Sequence, residues 1–114
     1  MKHNALEMTL LLDFYGELLT EKQRTCFDLY YNQDLSLGEI AQEAGISRQG
    51  VHDSLARAEA ALLELEQKLG CVARARSQQR ALKTIRQAAE QLRQISGAQE
   101  LANTILAAAG EIKE

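Results

Sequence analysis

Residues 35–60 read LSLGEIAQEAGISRQGVHDSLARAEA, and this stretch decides the fold. Apolar side chains recur at helical spacing on both sides of Gly45, a residue type that adopts a positive φ at low cost. Ser36, with a glutamate three residues later, forms a capping box that starts one helix, and Ser47 caps a second. Ala41 is small where the second helix has to cross the first. The stretch therefore predicts a helix-turn-helix motif.

The second helix of this motif is predicted to run far beyond it. Apolar residues step alternately by four and three positions until Gly70, which is the a/d pattern of a heptad repeat. Two interpretations of this seam stay open. It serves as the core of a helical bundle, packed on the helices that follow residue 73, or it is a dimer interface that spaces two recognition helices. The seam consists of Val51, Leu55, Ala58, Leu62, Leu65 and Leu69.

Capping signals predict further helices on either side of the motif. Asn4 opens a first helix, with Leu6, Leu10, Leu11 and Phe14 expected on its apolar side. Thr20, with a glutamine three residues later, opens another helix. Downstream we expect helices over residues 73–95 and 98–109, the latter with its apolar side at Leu101, Ile105, Ala108 and Ile112.

The composition agrees with packed helices. The chain has 114 residues, 46% of them apolar but only 4% aromatic, and it contains no proline that would break a long helix. We predict an all-α fold with a sigma region-four-like helix-turn-helix, a long recognition helix and a C-terminal helical hairpin. Residues 1–72 form the helix-turn-helix domain. Residues 73–114 form a helical extension that packs on it or mediates dimerisation.

Several classes of protein are excluded by what the sequence lacks. Cys26 and Cys71 lie far apart and match no zinc or redox spacing, so we expect reduced thiols and no metal site. Neither a signal peptide nor an apolar run near the ~20 residues that span a bilayer is present. We expect a cytoplasmic protein that does not insert into membranes. No nucleophile–base pair or phosphate loop appears, so we expect no catalytic residues, no cofactor and no enzymatic activity.

The exposed side of the second motif helix offers groups that bind nucleic acid. An arginine can hold a phosphate or a guanine, and a glutamine can pair with adenine. Asp53 works against them, because a carboxylate repels phosphate unless it accepts from a cytosine amino group. The candidate contact residues of this helix are Ser47, Arg48, Gln49, His52 and Arg57.

The net charge of −3 is unevenly distributed along the chain. Residues 20–70 sum to −4, although they contain the motif, whereas residues 71–96 sum to +5. The basic segment suits the backbone of DNA or RNA. Alternatively, its arginines pair with acidic residues of the long helix. The candidate phosphate-binding residues are Arg74, Arg76, Arg80, Lys83 and Arg86.

Residues 8–70 carry a resemblance to a known family. They read MTLLLDFYGELLTEKQRTCFDLYYNQDLSLGEIAQEAGISRQGVHDSLARAEAALLELEQKLG, which resembles the YlxM family of small bacterial helix-turn-helix proteins, and LLLDFYGELLTEKQ is specific to that group. Residues 19–60 are also similar to region four of bacterial sigma factors, which reads the upstream promoter element. The likeness covers roughly residues 6–72 and does not support the remainder.

The resemblance implies a helical fold, no enzymatic activity and a regulatory role beside the signal recognition particle. By the sigma-like part, Ser47, Arg48, Gln49 and His52 fall where base contacts would be. Recognition helices of sigma factors are more basic than this one, which speaks against promoter-type binding. The first hypothesis is therefore a regulator of the signal recognition particle pathway that binds nucleic acid, with the particle's RNA as target.

Two other functions stay open on the sequence alone. One is a DNA-binding transcription regulator that acts as a homodimer, with recognition helices about one DNA turn (~34 Å) apart. The other is a protein–protein adaptor that uses the helix-turn-helix as a scaffold and binds the GTPase of the particle. The acidic charge of residues 20–70 favours the adaptor.

Overall fold

The computed structural model describes residues 3–112, and within this range the chain is helical, with no strand. The predicted all-α helix-turn-helix fold is confirmed. A short 3₁₀ helix, Gly16–Leu18, follows the first α-helix. None of the helices in this range combines the length and the apolarity that crossing a membrane needs. The helices are α1 (Ala5–Tyr15), α2 (Glu21–Tyr31), α3 (Leu37–Ala44), α4 (Arg48–Leu69), α5 (Cys71–Leu92) and α6 (Gln99–Gly110).

Local capping places the helix boundaries where the sequence predicts them in the first part of the chain. Complete capping boxes at Thr20 and Ser36 begin α2 and α3. The side chain of Ser47 accepts a hydrogen bond from the Gly50 amide at 2.9 Å, which begins α4. Gly45 ends α3 with φ of 70°, and Gly70 ends α4 with φ of 65°. These two glycines sit where any other residue would be strained.

By its contacts the chain divides into two units, Met1–Val72 and Ala73–Glu114. In the first, which we call the N-terminal unit, α4 packs against each of α1, α2 and α3. The core is built from apolar residues of all four helices. Its largest fully buried side chains include Phe27, Met8, Leu11, Ile40, Leu62 and Val51.

Only the first part of the heptad seam of α4 is buried. Val51, Leu55, Ala58 and Leu62 are buried in the core of the N-terminal unit, together with residues of α1 and α2. In the predicted bundle, the partners of these residues are the helices after residue 73. In the structure they pack instead with α1 and α2, which precede the motif. Leu65 is half-buried and Leu69 is 48% exposed, so the regular burial ends near Leu62.

The predicted apolar side of α1 is right for Leu11 and wrong for Leu6 and Phe14. Met8, Leu11 and Tyr15 face the core, whereas Leu6 and Phe14 are exposed. Apolar residues surround this helix almost completely, so periodicity could not identify the buried side. Burial of Met8 and Tyr15 was decided by packing against α4.

The C-terminal unit consists of α6 and most of α5. α5 ends at Leu92, three residues before the predicted end, and Gly97, with φ of 87°, lies in the turn that follows. In α6 the alanines Ala102 and Ala109 are buried, whereas Leu101 and Ile112 of the predicted apolar side are exposed. Small residues permit a close packing that a leucine would prevent. A prediction based mainly on large apolar residues therefore does not identify Ala102 and Ala109.

The first turn of α5 belongs to the N-terminal unit and is held by two side chains from earlier helices. The Tyr15 hydroxyl donates to Glu66 Oε1 at 2.6 Å and accepts from the Cys71 amide at 3.0 Å. The same Glu66 oxygen accepts from the Val72 amide at 3.0 Å. Two amides that lack partners inside the helix are thereby satisfied. This explains why α5 begins at Cys71 and not at the predicted Ala73.

Replacing Leu62 by Ala should lower the free energy of unfolding by about 2–5 kcal/mol, because Leu62 is fully buried and its removal leaves a cavity. The matched control is its neighbour Leu63, which is 42% exposed, and L63A should cost less than about 1 kcal/mol. Urea unfolding followed by circular dichroism measures both. Equal losses in the two variants would contradict this assignment of the core.

The stability of the N-terminal unit should fall at alkaline pH in a way that depends on Tyr15. Burial, and then the hydrogen bond to Glu66, raises the pKa of Tyr15 to about 12. The unfolded chain loses this proton near pH 10, so the stabilisation is complete below pH 10 and is lost as the pH rises towards 12. We expect the urea midpoint of Y15F to fall less steeply between pH 10 and 12 than that of the wild-type chain. Identical slopes would show that Tyr15 does not hold its proton in the folded state.

Candidate nucleic-acid interface

The packing of α3 against α4 determines which side of the recognition helix faces outward. Ile40 and Val51 are completely buried and lie on the inner sides of the two helices. The opposite side of the first turns of α4 is consequently exposed. A side chain at Gly50 would meet Ser47 Oγ at 3.1 Å, so the absence of one leaves room for the cap. The amino end of α4 therefore projects from the motif as in DNA-reading proteins of this type.

All the predicted contact residues of α4 are exposed. Arg48 and Arg57 lie on its outer surface, and neither pairs with an acid that the structure describes. Ser47 is exposed too, but its hydroxyl is already engaged in capping the helix. Long, cationic side chains on an exposed helix can reach a phosphate or a base edge.

Asp53 contacts the other two candidate contact residues of this helix. Its Oδ1 accepts a hydrogen bond from Gln49 Nε2 at 3.0 Å and lies 3.5 Å from His52 Nδ1. Gln49 therefore has to exchange partners before it can contact a base. Asp53 also places a negative charge in the middle of the reading surface. The charge of Asp53 was predicted from the sequence but these contacts were not, although the spacing of four residues between Gln49 and Asp53 allows one of them.

The surface next to the recognition helix is acidic as well. Glu39 and Glu43 are exposed on α3 and line a shallow hollow with Leu35 and Gln42. Hydrogen bonds from Ser36 lower the pKa of the Glu39 carboxyl, so it is ionised at neutral pH. The N-terminal unit therefore offers the shape of a DNA-reading motif with little of the positive charge that binding to phosphates requires.

The basic residues lie in the C-terminal unit, on α5. Arg76, Arg80 and Lys83 are exposed and, together with Gln79, line one shallow hollow. Their spacing of four and three residues places them on one side of the helix. Arg74 is exposed outside this hollow, and Arg86 is half-buried. Of the five predicted phosphate-binding residues, the structure thus brings three together. We call Arg76, Arg80 and Lys83 the basic face.

Two acids that were expected to neutralise this basic helix have partners within the N-terminal unit. Glu59 accepts a hydrogen bond from the Tyr31 hydroxyl at 2.8 Å and pairs with His3 at 3.1 Å. Glu64 pairs with Lys68 at 2.9 Å, one helical turn away. The Tyr31 contact is reflected in the pKa of its hydroxyl, which burial and the bond to Glu59 raise. No local sequence signal could have revealed the contacts of Glu59, because its partners lie 28 and 56 residues away.

The cysteines add no chemistry to the interface. Both are free thiols, and Cys26 is buried in the core. Burial raises the pKa of the Cys26 thiol, whereas Lys22 and a hydrogen bond with Ser54 lower it. This hydrogen bond explains why a polar residue, Ser54, is buried in the core. Neither residue contributes to the surface that α4 presents.

Comparison with known proteins shows similarity to one described family. The family described as "UPF0122: Putative helix-turn-helix protein, YlxM / p13 like" matches residues 2–102. A UPF0122 protein of Thermoanaerobacter sp. (strain X514) is 46% identical over 114 residues, covering 100% of this chain and 97% of the relative. A UPF0122 protein of Halalkalibacterium halodurans is 46% identical over 90 residues, 79% of this chain and 83% of the relative. One from Acetivibrio thermocellus is 58% identical over 66 residues, 58% of this chain and 56% of the relative.

Proposed function

Since the chain belongs to the UPF0122 family of YlxM/p13-like helix-turn-helix proteins, we propose that it is a non-enzymatic regulatory protein that binds nucleic acid. The observation that carries this proposal is the exposed amino end of α4, where Arg48 and Gln49 project from a helix-turn-helix, with Arg57 exposed further along the same helix. The description of the family names a helix-turn-helix protein, which supports this proposal.

Affinity and selectivity come from different parts of the chain in this proposal. The basic face of α5 supplies the charge that releases counterions from a phosphate backbone. The exposed residues of α4 supply contacts to bases. For the target we propose the RNA of the signal recognition particle, reached in the cytoplasm, and the support for this choice is the resemblance of residues 8–70 to the YlxM family. Duplex DNA is the second target to be tested.

Removal of the basic face should weaken binding and its dependence on salt. In the variant R76A/R80A/K83A three phosphate contacts are lost, so the slope of log affinity against log salt should become less negative by about 2–3 for duplex DNA. Fluorescence anisotropy at several salt concentrations, with labelled particle RNA and labelled duplex DNA, measures this. The matched control is K22A/R24A/K68A, which removes the same charge from exposed positions on α2 and α4.

The control variant should keep the wild-type slope. Equal losses in both triple variants would indicate a general effect of net charge and would contradict a basic face. Absence of binding to either nucleic acid at ~0.15 M salt by the wild-type chain would overturn the proposed function itself.

A protein–protein adaptor is the second candidate, and the contacts of Asp53 favour it. Its carboxylate engages Gln49 and His52, and Glu39 and Glu43 lie on the preceding helix. An acidic surface of this kind suits a basic protein better than a nucleic acid. The helix-turn-helix would then be a scaffold.

The variant D53N distinguishes the two candidates. If α4 contacts nucleic acid, the loss of one negative charge at about 7 Å from a phosphate should raise the affinity about threefold at low salt. The amide oxygen of the new side chain can still accept from Gln49, so the helix surface is otherwise preserved. Anisotropy with the same RNA and DNA measures the change. An unaltered affinity would show that this side of α4 does not approach the nucleic acid and would favour the adaptor.

A further inference from the structure

The outer side of α1 carries a row of apolar side chains that the N-terminal unit leaves uncovered. Leu6 is 71% exposed, Phe14 is 48% exposed and Leu18, in the 3₁₀ helix that follows, is 67% exposed. Leu10 is half-buried between Leu6 and Phe14. Leu6, Leu10 and Phe14 follow one another at intervals of four, which aligns them along one side of α1, and Leu18 is exposed just beyond the end of this helix. We call these four residues the outer stripe.

The outer stripe is not a by-product of a loosely packed helix. The opposite side of α1 is held firmly, because Met8, Leu11 and Tyr15 are buried and the Tyr15 hydroxyl bonds to Glu66. Asn4 caps the helix by accepting from the Glu7 amide at 3.0 Å. A rigid helix with a row of large apolar residues on its exposed side has the properties of a binding surface.

Within the part of the chain that the structure describes, the acidic and basic charges beside the outer stripe are all negative. Glu7, Asp13 and Glu17 are exposed and alternate with the apolar residues along the same stretch of chain. Residues 3–19 contain neither lysine nor arginine. None of the three acids pairs with a cation that the structure describes. A partner that covers the stripe therefore has to approach three uncompensated carboxylates.

From this combination we propose that the outer stripe binds an amphipathic helix of another protein, with an apolar row bordered by lysines or arginines. Such a helix buries its apolar side on Leu6, Phe14 and Leu18, and its cations meet the acids. A second copy of α1 is a poorer occupant, because it would bring carboxylates against carboxylates. Nucleic acid and anionic lipid are repelled for the same reason.

This docking surface is independent of the interface proposed above. The basic face and the exposed end of α4 lie on other helices, so loss of one surface leaves the other testable. A regulator with both surfaces would join a basic protein helix to a nucleic acid, which combines the two candidate functions in one chain.

The experiment uses the full chain and a labelled 18-residue peptide of leucine and lysine, with leucines at helical spacing. A peptide in which every lysine is replaced by glutamate is its control. We expect the basic peptide to bind, the acidic peptide not to bind, and L6S/F14S/L18S to weaken binding at least about tenfold. The matched control L63S/L101S/I112S changes three other exposed apolar residues and should retain the wild-type affinity.

The charge requirement is tested separately. The variant E7Q/D13N/E17Q should weaken binding of the basic peptide and reduce its salt dependence, whereas E64Q/E100Q/E111Q, which neutralises three other exposed acids, should not. Circular dichroism and the retained affinity for nucleic acid show that the variants are folded.

Three results would overturn the proposal. One is equal binding of the basic and acidic peptides. Another is unchanged binding by L6S/F14S/L18S. The third is light scattering that shows a dimeric wild-type chain and a monomeric L6S/F14S/L18S variant, since the outer stripe would then be an interface between two copies. Each of these leaves the nucleic-acid proposal unaffected.

Discussion

Burial of one side of α4 against the three helices before it is the constraint on which the rest of the N-terminal unit depends. Val51, Leu55, Ala58 and Leu62 lie in the core with hardly any exposed surface. Because a helix has fixed angular spacing, burying these four fixes the direction of every other residue on α4. Arg48 and Arg57 face outward as a consequence of the core, without any contact of their own to hold them there.

α4 also fixes the position of the first turn of α5. Glu66 lies one turn beyond Leu62, and its carboxylate accepts both from Tyr15 and from the first turn of the next helix. A polar group at the edge of the core is stabilising only when its hydrogen bonds are complete, and here Tyr15 provides both a donor and an acceptor. α1 is thereby tied to the C-terminal end of α4 at the point where the N-terminal unit ends.

A structural feature could be predicted from the sequence when the residues that determine it lie close together in the chain. The helix-turn-helix, the caps at Thr20, Ser36 and Ser47 and the glycine at residue 45 are determined by neighbours within four residues, and their prediction is confirmed. The buried sides of α1 and α6 were predicted only in part, because apolar residues lie on several sides of both helices. The hydrogen bond between Tyr15 and Glu66 joins residues 51 positions apart, and no pattern within one helix could have predicted it. Of the candidate interface, the sequence identified the exposed residues of α4 but not the contacts of Asp53 with Gln49 and His52.

The feature that bears most on function is that the projecting helix of the helix-turn-helix and the basic face lie in different parts of the chain. A helix-turn-helix needs both a projecting helix and enough cations to hold a polyanion, and in this chain the two lie in different units. The N-terminal unit is acidic on α1, beside the outer stripe, and on α3, beside the recognition helix. Under the proposed function, acids next to the exposed residues of α1 and α4 disfavour non-specific attachment to nucleic acid. In that proposal the negative charge of the N-terminal unit limits binding to partners that complement both its shape and its carboxylates, and the cations of α5 supply the affinity.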